Sequence, residues 1–513
     1  MDINEKIVNI NNLNKSLQGQ RAKSKKIVLC QGHFNSIHPG HLRFLEFARQ
    51  QGDCLIVAIQ GYNWLEDKNK GVFFGAEERA RGVASLQKVD KVVIFNEESI
   101  LDVIKAVKPD IYVRGEEFSK YLRVIQDEIN LVKKLDGKVV FSSGQVEYST
   151  SDFLDNDLFD LMEKSRHQFK KAIEKQKVSE NKLAEYFDAF KKQKILVIGD
   201  AIVDQYVACD ALGMSAEAPI INIRELESKD FVGGAAVIAR HIKALGANCY
   251  FASVIGNDQP GKFIQKELTN DGITTKLIVD KERETTFKIR YMVGKQKILR
   301  VSRLKEHHIN EKLENSLINY AKTLVNDLDG IIISDFAYGV ITPGLISTIS
   351  KLAKKHNIKL FGDSQSSSQV GDVGKFEDFD LITPTEREAR LALNDKFSGL
   401  EQIGMILLEN LQLKNLIVTL GENGLVAYQK LSDGDALLVK SQHFPALNVN
   451  PVDVMGAGDS LLSGLSLAMC AGGNLMEASI IASGVSSIAV SKVGNIPVKA
   501  EELKKWLIDL TDK

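Results

Sequence analysis

The chain has 513 residues, 66 Lys+Arg against 67 Asp+Glu for a formal net charge of -1, 26% charged and 44% hydrophobic residues. These are the proportions of a folded globular chain, and they exclude a wholly disordered or collagen-like one. Balanced charge removes the simplest electrostatic case for a nucleic-acid partner, and at roughly 150 residues per domain the length allows two to four domains.

Residues 1–24 read as a polar tail with no continuous apolar stretch, so no signal peptide is expected. Residues 26–30 (KIVLC) form a short apolar run that ends at Gly32. A helical pattern follows over 40–51, with Leu42, Leu45, Phe47 and Ala48 on its apolar side. Then comes 54–59 (CLIVAI), which completes a strand–helix–strand unit. Further apolar runs at 91–95, 111–113 and 139–141 extend this to a parallel-sheet domain over 25–155.

Residues 156–192 are rich in Lys and Glu and read as a charged helical linker with a solvated face. Ser179 is placed to cap a helix carrying Leu183, Tyr186, Phe187 and Phe190 on one side. A second α/β pattern begins at 195–199 (ILVIG), with strand candidates at 249–255, 330–334, 359–362, 380–383 and 416–420. Residues 220–223 and 286–293 (TFKIRYMV) alternate with period two, and 298–301 follows a turn. Half-buried antiparallel strands beside a parallel core predict a small β lid. Residues 460–476 carry no charge, yet Ser, Gly and Asn dilute them, so they read as buried helix and no membrane partner is expected. The five cysteines, Cys30, Cys54, Cys209, Cys249 and Cys470, are odd in number, widely spaced and lack any CxxC. That argues against a disulfide framework or a structural zinc site and for a cytoplasmic location.

Two stretches carry chemistry. The first is Gln31 to His41 (QGHFNSIHPGH), between the first strand and its helix. Gly32 and Gly40 let backbone approach a phosphate, and the helix start offers free N–H groups. His38 and His41 could donate hydrogen bonds to phosphate oxygens as charge builds. The bland alternative is a loop with two surface histidines; the strand–loop–helix context favours the functional reading.

This segment resembles the HxGH nucleotidyltransferase superfamily, which moves a nucleotidyl group from an NTP to a phosphorylated acceptor and releases pyrophosphate. The resemblance covers about 25–155. Lys70 with Gly71 resembles the basic loop after the second strand, and Glu77, Glu78 and Arg79 open the next helix as in the family. Arg114 with Gly115 stands where a Lys-Gly pair is usual, and Ser149, Thr150 and Ser151 resemble the Ser/Thr motif that faces the triphosphate. The likeness is greatest to the sugar-1-phosphate adenylyltransferase branch. Asn35 stands in place of the usual Asp, and Arg114 keeps the charge of Lys with a different fork.

The second stretch is Asp453 to Asp459 (DVMGAGD), opening the uncharged helical run. Gly456, Ala457 and Gly458 can present successive N–H groups to an anion, and Asp459 can take a proton from an attacking hydroxyl. Phosphoryl transfer needs both; the alternative is a Gly-rich helix cap. Gly199 and Asp200 end a strand, Asp204 follows, Gly233 and Gly234 precede a helix, and Thr419, Gly421 and Gly424 follow a buried strand. This order resembles the ribokinase-like (PfkB-type) sugar kinases over 193–513. Residues 215–219 (SAEAP) and the later GGAA resemble the heptose-7-phosphate kinase branch. The resemblance implies sugar contacts from Asp200, Asp204, Gly233 and Gly234, nucleotide contacts from Thr419, Gly421 and Gly424, a place near Mg·ATP for Glu388, and Asp459 as base. Val237 stands where a sugar-contacting Asn is usual, Thr385 replaces the Asn of NxxE, and Gln365 replaces a Lys.

The expected fold is α/β in two domains: a Rossmann-like nucleotidyltransferase, then a ribokinase-like sandwich with a β lid. Together they resemble the bifunctional enzymes of ADP-heptose synthesis with the order reversed. That implies ATP-dependent phosphorylation of heptose 7-phosphate at C1, then nucleotidyl transfer from ATP to the 1-phosphate, feeding lipopolysaccharide. A different sugar, CTP as donor, and a nucleotide-sensing regulator with one dead site remain the alternatives. The implied partners are small molecules, with a homo-oligomer left open. ATP is a substrate and Mg2+ accompanies its phosphates, without direct protein ligation.

Overall fold

The computed structural model describes residues 3–32, 34, 37, 39–61, 75–95, 99–115, 126–142, 158–214, 220–294, 296–365, 371–431, 439–448 and 451–511. It contains two compact units. The first holds Met1–Asp157, Asp395–Ile406 and Tyr428–His443; the second holds Leu158–Asn394, Leu407–Ala427 and Phe444–Lys513.

In the first unit, β1 (Ile7–Val8), β2 (Ile27–Gly32), β3 (Cys54–Gln60), β4 (Lys91–Phe95), β5 (Ile111–Gly115) and β6 (Lys138–Ser142) form one sheet in the order β1-β4-β3-β2-β5-β6. Every pairing is parallel, and a sheet of that kind is covered on both faces, which is why its strands read as unbroken apolar runs. The chain winds one way from β2 to β3 and the other way from β2 to β5. The carboxyl end of β2 is therefore the topological switch point, where open α/β sheets bind ligands.

The segment read as a polar tail is part of this core. Helix Ile10–Arg21 buries Leu13 and Leu17 completely, in a cluster with Leu29, Ile56 and Val103. Ile10, Leu13 and Leu17 sit on one helical face, but Asn, Lys and Gln around them mask the pattern.

The second unit opens with helices Leu158–Lys175 and Glu180–Phe190. The Ser179 hydroxyl accepts from the Lys182 N–H at 3.3 Å, the cap anticipated from sequence. Phe169 and Phe190 are fully buried, and with Leu183, Tyr186 and Phe187 they join the main core of this unit. The Tyr186 hydroxyl donates to Glu477 at 2.7 Å. The charged run is thus one face of two helices whose other face belongs to the second unit.

The strands from Lys194 onward are β7 (Lys194–Gly199), β8 (Ala201–Met214), β9 (Ile221–Gly234), β10 (Asn248–Gly256), β11 (Thr274–Asp280), β12 (Thr286–Val293), β13 (Gln296–Arg303), β14 (Gly330–Asp335), β15 (Lys359–Ser364), β16 (Leu381–Ile382), β17 (Asn415–Thr419), β18 (Leu425–Lys430) and β19 (Val439–Phe444), all in the second unit except the parts of β18 and β19 that fall within Tyr428–His443. Nine form a sheet in the order β11-β10-β7-β14-β15-β16-β17-β18-β19, parallel from β11 through β17. The other four make the lid, in the order β13-β12-β8-β9. Lid strand β8 is absent from the sequence reading. Register shifts between Ala208/Cys209 and Ala211/Gly213 break its alternation.

The uncharged stretch 460–476 lies mostly in helix Ala457–Cys470, buried almost throughout, and ends in the first turn of helix Leu475–Ala489. Its hydroxyls are satisfied internally: Ser463 donates to the Asp459 carbonyl at 2.7 Å and Ser466 to the Leu462 carbonyl at 2.8 Å. Among the described residues no helix is long and apolar enough to cross a membrane.

If both segments are core, Phe169→Ala costs about 3–5 kcal/mol and Leu17→Ala about 2–5 kcal/mol, read by urea denaturation. A solvated linker or tail position would change stability by less than about 0.5 kcal/mol.

Candidate active sites

The site of the second unit is built on one backbone feature. Gly456 has φ +71, and a Cβ there would lie 2.5 Å from Asn495 Oδ1. Only glycine turns the chain here without strain, and helix Ala457–Cys470 starts at once. The N–H groups at a helix start have no intrahelical partner. The Ala457 N–H meets the Val454 carbonyl at 3.3 Å, which leaves the anion-binding role expected of this stretch mainly to Gly458 and Asp459. A Cβ on Gly458 would meet open space.

Asp459 is 5% exposed and its Oδ1 accepts from Gln365 Nε2 at 2.9 Å. Burial, with the Asp363 and Asp204 carboxylates nearby, pushes its pKa well above the ordinary carboxylate range, while Lys288 and Gln365 act the other way. Burial and neighbouring Glu388 push Asp363 up to about 7, against hydrogen bonds from Gln365 and Thr383. Asp363 Oδ2 is buried with no hydrogen-bond partner. Glu388 is fixed by a capping box: Thr385 donates through its N–H and its hydroxyl to Glu388 Oε2, both at 2.8 Å, and its hydroxyl oxygen accepts from the Glu388 N–H at 3.2 Å. The Thr that departs from NxxE is therefore a helix cap, a role readable from the pattern TxxE before an apolar run.

A cleft of about 910 Å3 brings together Asp204, Gly234, Glu388, Thr419, Gly421, Gly424 and the turn from Gly456 to Asp459. Two residues expected at the sugar do not line it. Asp200 is 1% exposed, and its carboxylate accepts from the N–H groups of Phe336 at 2.8 Å and Val340 at 3.2 Å. It organises the 336–340 loop, and burial pushes its pKa up. Gly233 gives Asp204 its space, since a Cβ there would lie 2.2 Å from Asp204 Oδ2. Val237 is buried beside Gly456. Lys288, Arg290 and Arg300 line the cleft from the lid and were not anticipated, and Asp204 accepts from Arg290 Nη1 at 2.5 Å. The alternation that marked β12 as a strand also places Lys288 and Arg290 on one face.

In the first unit, Gly32 ends β2 at the switch point and Gly40 lies in helix Pro39–Gln50. A Cβ on Gly32 would meet the Phe34 ring at 2.7 Å, so the space over that glycine is held by Phe34, itself at φ +48. The His41 ring centroid lies 4.9 Å from that of Phe34. Arg79 is buried and donates to the Gln60 carbonyl, at the end of β3, at 2.8 Å. Arg114 is 5% exposed and its Nε lies 3.4 Å from Glu128 Oε2, which also accepts from the Tyr112 hydroxyl at 2.8 Å. With its amide oxygen turned inward, Gln31 accepts from Arg114 Nη2 at 3.0 Å. Arg114 thus stands at the switch point already engaged by Glu128 and Gln31, a use of the fork that the phosphate reading did not foresee. His38, Lys70, Ser149, Thr150 and Ser151, with Asn35, lie outside the described residues.

An acid beside a left-handed glycine turn, at a helix start over an open α/β sheet with a β lid, defines a ribokinase-like phosphotransferase. The sequence profile of the pfkB family carbohydrate kinases matches residues 192–502, and the chain belongs to that family. A cytidylyltransferase-like profile matches residues 29–179, ahead of it. The chain is 33% identical over 322 residues to the Bifunctional protein HldE of Campylobacter jejuni subsp. doylei, covering 62% of this chain and 65% of that protein. It is 31% identical over 315 residues to the Bifunctional protein HldE of Helicobacter pylori (strain J99), covering 61% and 65%. The matches therefore span just under two thirds of these relatives. Phosphofructokinase-2 from Escherichia coli in complex with substrates and products shares the fold over 62% of this chain and 99% of its own, with TM-score 0.51 and 16% identity.

The raised Asp363 sets a pH dependence. In the free protein the folded state keeps a proton that the unfolded chain releases near its ordinary value of 3.8, so stability falls as pH rises from about 4 to about 7 and levels off above. Asp363→Asn removes the Asp363 part of this fall, a difference of a few kcal/mol between urea denaturations of ligand-free protein at about pH 4 and pH 8, and leaves the part due to Asp459. Equal slopes in the two proteins would contradict the assignment.

Proposed function

We propose that the chain is a bifunctional enzyme of sugar-nucleotide synthesis in the cytoplasm. Its second unit phosphorylates heptose 7-phosphate at C1 with ATP. Its first unit transfers a nucleotidyl group from ATP to the resulting heptose 1-phosphate, once the 7-phosphate has been removed by a separate phosphatase, giving ADP-heptose and pyrophosphate. The observation that carries the kinase reading is the buried Asp459 carboxylate at the start of helix Ala457–Cys470, in one cleft with Asp204.

Asp459 takes the proton of the C1 hydroxyl, the freed oxygen bonds to the γ-phosphorus, and the bond to ADP breaks. Its raised proton affinity suits a base that must draw a proton from a weakly acidic alcohol. Gln365 holds one carboxylate oxygen and leaves the other to the acceptor. The helix start offers N–H donors and a positive dipole end to the transferring group. Thr419, Gly421 and Gly424 receive the nucleotide, and Asp204 and Gly234 the sugar. Mg2+ bound to ATP would offset phosphate charge. The buried, unpartnered Asp363 Oδ2 and Glu388 beside it suit a hydrated cation.

In the first unit, His38 and His41 donate to the α-phosphate as the sugar phosphate oxygen attacks and pyrophosphate departs. Gly32, Gly40, Lys70, Arg79, Arg114 and residues 149–151 surround the triphosphate. The parallel sheet with its switch point after β2 and the cytidylyltransferase-like match support this reading. That match also makes CTP the competing donor.

Asp459→Asn lowers sugar phosphorylation by about 10²–10⁴-fold and leaves pyrophosphate release from ATP and heptose 1-phosphate intact; His41→Ala does the reverse. Both are read with purified protein, heptose 7-phosphate for the first reaction and heptose 1-phosphate for the second. Release with CTP alone would overturn the adenylyl assignment. Unchanged phosphorylation in Asp459→Asn would favour the regulatory alternative.

A further inference from the structure

At the end of β5 the first unit buries a cation, a carboxylate and a phenol together. Tyr112 and Arg114 are two apart on β5, so they share a face of the sheet. In the parallel register of β2 and β5 Tyr112 is opposite Leu29, and the next step of that register brings Gln31 beside Arg114 on the same face. At the level of Leu29 and Tyr112 this face is core, packed with Val103, Val107 and Val132. At the level of Arg114 it turns polar and stays buried. Arg114 is 5% and Glu128 9% exposed, and Glu128 stands in the first turn of helix Gln126–Lys134.

The contacts fix a plane. Glu128 Oε2 accepts from the Tyr112 hydroxyl at 2.8 Å and lies 3.4 Å from Arg114 Nε. The inward amide oxygen of Gln31 accepts from Arg114 Nη2 at 3.0 Å. A guanidinium is a rigid planar fork, and this one is held along two of its edges by two different elements, helix Gln126–Lys134 and β2. The Tyr112 side chain is fully buried, so its hydroxyl is a fixed anchor for the carboxylate. Replacing a buried ion pair with apolar side chains of similar volume is often neutral or stabilising by about 1–4 kcal/mol. Stability alone therefore does not account for this pair. What it supplies is the orientation of a permanent cation at the switch point, where such a sheet binds its ligand.

We infer that Glu128 and Tyr112 are positioning residues of the nucleotidyl-transfer site: the Tyr112 hydroxyl sets the Glu128 carboxylate, and the carboxylate sets the Arg114 fork for the phosphates of the nucleotide. This rests on the transferase reading above and deepens it. Both residues act through Arg114. A planar fork needs such support more than a rotatable ammonium does, because rotation about its stem misaims both terminal nitrogens at once.

The test measures pyrophosphate release by the full chain from heptose 1-phosphate and the nucleotide that the unmodified chain uses. Phosphorylation of heptose 7-phosphate by the same preparation is the internal control. Glu128→Gln keeps an acceptor for the Tyr112 hydroxyl and removes the charge. It lowers kcat/KM for the nucleotide by about 10–100-fold, while KM for heptose 1-phosphate and both kinase constants stay within about twofold. Tyr112→Phe removes only the hydroxyl and lowers the same quantity by about 2–10-fold. In an Arg114→Gln background neither change costs further activity, because the effect passes through the fork. If Glu128→Gln does not fold, Tyr112→Phe and its cycle with Arg114→Gln decide. Equal losses in the two reactions, a loss carried by KM for heptose 1-phosphate alone, or a loss undiminished in the Arg114→Gln background overturn the positioning role. If the unmodified chain releases no pyrophosphate with ATP or CTP, the transferase reading falls and takes the inference with it. If it does, and Glu128→Gln and Tyr112→Phe both match it, the inference alone falls.

Discussion

The left-handed turn at Gly456 is the constraint on which the kinase unit depends. It lets the chain turn into a helix within one residue, against an Asn495 side chain that leaves no room for a Cβ. The helix that follows is buried over nearly its whole length, and its serines bond to its own carbonyls. Asp459 is therefore carried on a rigid element rather than on a loop. A base held to a fraction of an ångström is worth more to a transfer reaction than a stronger base held loosely.

That rigidity places Asp459 where charge is hard to keep. Burial raises the pKa values of Asp363 and Asp459, with Glu388 adding to the rise at Asp363 and the Asp363 and Asp204 carboxylates adding to it at Asp459. Such an arrangement opposes folding, and it is typical of sites that must receive charged substrates. The same holds in reverse at the lid, where arginines face one another across two strands. Asp363 on the sheet and Asp459 at the helix start face Lys288, Arg290 and Arg300 on the lid, with Asp204 the lid's own carboxylate among them. Asp200 shows the contrasting case. It is equally buried, but backbone N–H groups answer its carboxylate, and it serves the fold.

Much of this was legible in the sequence because the physics is local. Parallel strands buried on both faces read as apolar runs, and β2, β3, β7, β10 and β14 fall within a residue or two of the runs that marked them. The glycine turn and its acid were legible for the same reason, since their geometry is set by four consecutive residues. What escaped depends on partners distant in the chain. Leu13 and Leu17 matter only because β2 and β3 supply a surface for them, and Phe169 only because the core of the second unit does. Asp200 looked like a sugar ligand until the 336–340 loop closed over it. Arg290 and Arg300 were ordinary lid residues until strand register set them face to face. Thr385 is the exception: its capping box is local, and it was obscured by reading the position as a damaged motif.

The order of the two units follows from the same locality. Residues gathered in the kinase cleft all belong to the second unit, from Ile202 to Asn495. The sheet with its switch point after β2 is completed within residues 7–142. A parallel sheet wound from consecutive βα units places its binding edge by the handedness of its own crossovers, so the position of that edge is set by the strands themselves. The cytidylyltransferase-like match lies ahead of the pfkB match in the chain, and the winding of each sheet is set within itself. What joins the two is not neutral filler. The helices from Leu158 to Phe190 give their apolar face to the kinase core, so the connection contributes to that unit's stability and is more than a tether.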